Sequence, residues 1–172
     1  MNQLRACRFF QHLLLALQCM GPVMPASATQ PLVDRFILGS NEGFIVPSEC
    51  CWMPVPDSAR LLELKVQEGR QCTAMGGPVG VFEHRAGKLW LTRFETCSRE
   101  IPLAEIYPER EQPALATWLS GTFKTRVGLP CRAFDGRPVL ALEQELTVSE
   151  GVVTAVTEKY LDRSACGNQA DE

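Results

Sequence analysis

Outside its first 28 residues the chain holds a single histidine, His84, set between Glu83 and Arg85. Histidine is the usual base near neutral pH, so a Ser-His or Cys-His mechanism would have to run through this one ring. Its place inside an alternating segment is that of an ordinary exposed strand residue. A cysteine nucleophile meets a different obstacle. Cys50, Cys51, Cys72, Cys97, Cys131 and Cys166 are an even six, which in an oxidising compartment reads as up to three disulfides and leaves no thiolate. Their connectivity stays open, except that Cys50 and Cys51 are too close in the chain to bridge each other easily.

Carboxylates are the third source of chemistry. Glu143 and Glu145 stand two apart on an expected strand and share a face, with Glu83 or Glu95 able to approach from a neighbour. A glycosidase pair needs its acids about 5–9.5 Å apart, and strand neighbours meet that. The same spacing describes the solvated face of an amphipathic strand, which is the reading adopted. Zinc ligation lacks its spacing, because no CxxC pair occurs. Phe134-Asp135-Gly136-Arg137 reads as a turn and not as a calcium loop. No catalytic residue, metal or cofactor is expected.

Recognition by contact is what remains. In Tyr107-Pro108-Glu109-Arg110-Glu111-Gln112-Pro113 prolines stiffen both ends of a charged stretch, and a loop rigid before binding loses less entropy on binding. Glu109, Arg110, Glu111 and Gln112 are therefore the expected partner-binding residues. Trp52 and Met53, in a proline-punctuated segment, join them as residue types enriched in interface cores. Trp90 and Trp118 read as core or rim packing.

The elements that must position these residues are mostly strands. Val79–His84 and Leu89–Phe94 flank Arg85-Ala86-Gly87-Lys88, a hairpin signal. Leu140, Leu142, Gln144, Leu146 and Val148 alternate with Glu143, Glu145 and Thr147, and Ser149-Glu150-Gly151 turns the chain into Val152–Leu161. Leu62, Leu64 and Val66 alternate with charged residues and predict another strand. Leu32–Leu38 predicts one more, and Ala114–Thr125 a strand pair bent at Ser120-Gly121. Residues 41–60 read as a loop-rich flap, and Ser98–Ile106 as one short helix capped by Ser98 with Pro102 in its first turn. The fold class expected is all-β and mainly antiparallel: a curved sheet, barrel or sandwich, with at most one or two short helices and disulfide staples.

Address follows from the first residues. Arg5 and Arg8 precede an apolar run centred on Leu13–Leu17, and Ala26-Ser27-Ala28 offers a small-x-small cleavage site. The run is shorter than the ~20 apolar residues a bilayer span needs, so no stable membrane anchor is expected after cleavage. Residues 1–28 are read as a signal peptide and 29–172 as one exported β-rich domain, periplasmic or secreted. Losing Arg5 and Arg8 leaves 15 Lys and Arg against 20 acids, a net charge of −5. Such a balance without basic runs disfavours nucleic acid as a partner.

Together these readings point to a non-enzymatic envelope protein with a protein partner. The expected type is an inhibitor or immunity protein that inserts a loop into the cleft of a cell-wall hydrolase or toxin. A small apolar ligand held in a barrel lined by Leu142 and Trp118, or a structural role in an envelope machine, are the alternatives. Mass spectrometry of the exported product checks the address: it should begin at Thr29 and show no free thiol in denaturant, and a reduced chain still starting at Met1 would refute it.

Overall fold

The computed structural model describes residues 32–49, 52–71, 77–128, 131–132, 138–139 and 141–160, without the side chains of 68–71, 131–132 and 138–139. The leader, Cys50, Cys51, Cys72, Cys166, Leu140, Leu161 and the 134–137 turn lie outside the described residues. Cys97 is disulfide-bonded, and its pairing also falls outside them.

In chain order the elements are β1 (Arg35–Leu38), β2 (Asn41–Pro47), α1 (Ala59–Gln71), β3 (Val79–Arg85), β4 (Lys88–Glu95), β5 (Glu100–Pro102), α2 (Leu103–Ile106), β6 (Ala114–Leu115), β7 (Gly121–Val127), β8 (Cys131–Arg132), β9 (Pro138–Val139), β10 (Leu142–Ser149) and β11 (Val152–Tyr160). Nine strands form one curved sheet along β11-β10-β7-β2-β1-β3-β4-β5, with β6 also on β4; β8 and β9 pair separately. Val152 of β11 returns to Lys88 of β4, so the path meets itself at one point.

Two hairpins carry the alternation seen in the sequence. In β10, Gln144, Leu146 and Val148 are buried while Glu145 and Thr147 face solvent. Opposite them Phe123, Thr125 and Val127 of β7 complete an inner face. Thr125 and Gln144 are the polar members of that face and satisfy each other: Thr125 Oγ1 donates to Gln144 Oε1 at 3.3 Å, and Gln144 Nε2 to Glu158 Oε1 at 2.8 Å. Both tight turns use positive φ, at Ala86 and Gly87 (52° and 70°) and at Glu150 and Gly151 (49° and 79°), as two-residue hairpins prefer. Gly151 has a second reason to lack a side chain. A Cβ there would sit 2.8 Å from the Ala116 carbonyl carbon and oxygen, where the chain crosses the seam between β4 and β11.

Four expectations need correction. Residues 62–66 are helix, not strand. Leu61 and Leu64 are buried, three apart, while Leu62 and Val66 are 65% and 55% exposed, so the burial period is helical and the alternation coincidental. Ser58 caps this helix, its Oγ accepting from Leu61 N–H at 3.4 Å. Residues 41–47 are strand, not flap, because Ile45 is fully buried and β2 pairs on both edges, with β1 and β7. Residues 100–102 are strand, with Ile101 opposite Phe94, and the helix shrinks to Leu103–Ile106 with Pro102 at its N-cap. Ser98 lies in a turn held by Thr96 Oγ1, which accepts from Ser98 and Arg99 N–H at 3.2 and 3.1 Å. Last, β6 pairs with β4 and not with β7.

The sheet is also mixed where antiparallel pairing dominates the expectation. Strands β1 and β3 run parallel. A parallel neighbour requires a long connection, commonly helical, and the stretch holding α1 between β2 and β3 supplies it. Asp34, one residue ahead of β1, fixes that return: its Oδ1 accepts from Gly80 N–H and its Oδ2 from Met53 N–H, both at 2.7 Å. Burial pushes the Asp34 carboxyl up to about 6, against the pull of these two amides and of Lys65.

The folded state thus holds the Asp34 proton more firmly than the unfolded chain, so this group favours folding increasingly as pH falls from 7 towards 4. Asp34→Asn cannot titrate and offers one acceptor where two amides need one each. We expect it to lose about 1–3 kcal/mol in denaturant unfolding. Its deficit against the parent should widen between pH 7 and pH 4; a deficit that does not change with pH would contradict the assignment.

Candidate functional site

Residues 52–58 have no regular secondary structure, so their backbone polar groups must be satisfied from outside the segment. Pro54 and Pro56 lack an N–H, which reduces the need for acceptors. The Met53 N–H goes to Asp34. The Pro54 carbonyl accepts Trp118 Nε1–H at 2.9 Å, and the Pro56 carbonyl accepts the Tyr107 hydroxyl at 2.5 Å. Ser58 Oγ then donates to the Ile106 carbonyl at 3.0 Å. Four tertiary bonds in six residues make this an ordered strap.

Tyr107 and Trp118 flank the proline-ended loop. Tyr107 is buried, and its ring is tilted against Phe94 at a centroid distance of 6.2 Å. Desolvation pushes its hydroxyl up to about 12; Arg110 opposes this, and Asp57 and Glu109 add to it. The guanidinium of Arg110 lies 5.4 Å from the Tyr107 ring centroid and 5.2 Å from that of Trp118. Its Nε is buried without a hydrogen-bond partner, and among the described residues no carboxylate pairs with it, although Glu109 and Glu111 are its chain neighbours. Two aromatic faces thus hold a planar cation in one orientation.

The structure therefore brings the two candidate segments together. Glu109, Glu111 and Gln112 are exposed and Arg110 is half-buried; Tyr107, at the head of the stretch, is core instead of exposed loop. Trp52 is 45% exposed, whereas Met53 is only 4% exposed and offers no surface. Asp34 and Lys65 have no site role in the sequence reading, Tyr107 stands there only as the head of the loop, and Trp118 only as packing or barrel lining.

A cleft of about 350 Å³ opens beside the strap, lined by Asp34, Trp52, Met53, Val55, Lys65, Gly77, Pro78, Gly80 and Phe94. On the far side of the loop cluster, α2 is tied to α1. Glu105 accepts from Arg60 at 2.7 Å and from Arg99 at 3.1 Å on each oxygen, and these partners hold its carboxyl down at about 2.

The side chains considered for catalysis are dispersed. Glu143 is paired with Arg126 at 2.7 Å, Glu95 with Arg93 at 2.7 Å and Arg35 at 3.9 Å, and Glu83 with Arg85 at 3.8 Å. Glu83 stands on β3 and Glu143 on β10, with β1, β2 and β7 between them along the sheet. His84 is half-buried with Nδ1 unpartnered, and burial lowers its pKa. Trp90 sits on the outer hairpin under Arg85, 5.4 Å from guanidinium to ring.

Tyr107→Phe tests the strap directly. It leaves the Pro56 carbonyl without its donor and should lower stability by about 1–2 kcal/mol in chemical unfolding; a value within error of the parent would show that the loop and strap are not coupled by this bond. No family model matches the chain, and no curated protein or solved structure is similar to it.

Proposed function

We propose that this chain is an exported, non-enzymatic binding protein of the cell envelope, an inhibitor or immunity-type protein that seats its 108–112 loop in the cleft of a hydrolase or toxin. The observation that carries the reading is Arg110. Flexible loops lose entropy when a partner orders them. Here the cation is already stacked on two rings, and both rings are hydrogen-bonded to the 54–56 backbone. Arginine and the aromatic residues are the usual centres of interface energy. Glu109, Glu111 and Gln112 surround it as exposed polar groups that select the partner by charge and shape. Trp52 extends the surface along the strap.

The export pattern read in the sequence supports the same reading. The leader pattern ends in Ala26-Ser27-Ala28, six cysteines remain after it, and Cys97 is oxidised. A scaffold cross-linked in this way suits a protein whose surface must hold its shape outside the cytoplasm.

Affinity capture of the exported domain on envelope extract tests the proposal. The parent should retain one stoichiometric partner and suppress its hydrolytic or toxic activity. Arg110→Ala should weaken capture by about 2 kcal/mol, roughly thirtyfold. Arg110→Lys should not restore it, since an ammonium lacks the planar stack. Failure to retain any partner, or undiminished capture by Arg110→Ala, would overturn the reading.

A further inference from the structure

The cleft beside the strap carries one acid and one base that never meet. Asp34 lies on one wall, its two carboxylate oxygens each holding one backbone N–H. A carboxylate has about four acceptor positions; two are taken, and the 4% of Asp34 that stays exposed is what the cleft offers a ligand. Lys65 of α1 lines the same cleft and is the one side-chain charge acting on Asp34, yet among the described residues no ion pair joins them. Lys65 is fixed at its base, because Gly77 lies so close beneath it that a Cβ there would approach Lys65 Cγ to 3.0 Å. Between the two charges the lining is apolar: Trp52, Met53, Val55, Pro78 and Phe94.

We propose that this cleft binds a small apolar zwitterion of the dipeptide class, with its ammonium on Asp34, its carboxylate on Lys65 and its side chains against Trp52 and Val55. The volume, about 350 Å³, lies at the lower end of small-molecule sites and suits a ligand of dipeptide size. The charge order matches as well. A buried carboxylate held only by neutral amides lacks a counter-ion, and an incoming ammonium supplies one at hydrogen-bond distance. A simple cation would leave Lys65 opposed to it, and a simple anion would be repelled by Asp34. A ligand with both charges, separated by an apolar body, satisfies the cleft as it stands. Apart from Trp52 this site shares no residue with the Arg110 surface, and it does not depend on the partner proposed above.

Free leucyl-leucine is a suitable probe, followed by amide NMR at Met53 and Gly80, the two N–H groups bound to Asp34. The free dipeptide should shift both resonances saturably. N-acetyl-leucyl-leucine, which lacks the ammonium, should bind at least tenfold more weakly. Leucyl-leucine amide should also bind more weakly to the parent, and Lys65→Gln, an exposed change that leaves the fold intact, should erase the difference between acid and amide. No saturable shift, equal binding of the free and acetylated forms, or a Lys65→Gln variant that still prefers the acid would each overturn the proposal.

Discussion

Asp34 joins amides 19 and 46 residues away through the two oxygens of one carboxylate. Its own carbonyl also accepts from Ile45 N–H at 3.0 Å. One residue ahead of β1 thus sets three things: the pairing of β1 with β2, the return of β3 beside β1, and the start of the strap. Charge-assisted bonds of this kind are stronger than neutral ones, but their acceptor is buried and desolvation opposes its ionisation. The raised proton affinity of Asp34 is the sign of that conflict. A neutral side chain of similar size would avoid the desolvation and lose one of the two anchors.

The strap converts this anchor into a surface. An irregular segment is normally the mobile part of a β fold, because its backbone groups are satisfied by water. Here Pro54 and Pro56 present only carbonyls, and Trp118 and Tyr107 donate to them from two different parts of the chain. The same two rings then position Arg110. Order passes from a carboxylate ahead of β1, through a segment without secondary structure, to a guanidinium in a loop, with a named hydrogen bond or ring contact at each step.

Reading the sequence worked where side-chain period and backbone geometry agree. The β3–β4 and β10–β11 hairpins were legible from their turn residues, and β10 from its alternation as well, down to Gln144 on the inner face. It failed at 62–66, where Leu62, Leu64 and Val66 mimic a strand while the buried pair is Leu61 and Leu64. Nothing local distinguishes the two periods over so short a run; the packing of Leu61 and Leu64 into the core decides it. Residues 41–47 were obscured by the prolines that follow, since β2 ends at the first of them. The loop at 109–112 was visible from its flanking prolines, but the contacts that hold it were not. Pairing Tyr107 with Pro56, or Met53 with Asp34, joins residues far apart in sequence, and no periodicity encodes such a contact.

The strap also explains how two binding surfaces can sit side by side with Trp52 as their one common residue. Trp52, Met53 and Val55 line the cleft over Asp34 and Lys65, whereas the carbonyls of Pro54 and Pro56 face the rings that hold Arg110. The segment thus serves the cleft with side chains and the rings around Arg110 with backbone carbonyls. A change confined to Lys65 alters the charge in the cleft and leaves the Arg110 stack in place. A change at Arg110 removes the stack and leaves both Asp34 bonds intact. Loss of Asp34 itself releases the strap and disturbs both sides at once, which distinguishes the structural role of this carboxylate from either recognition event.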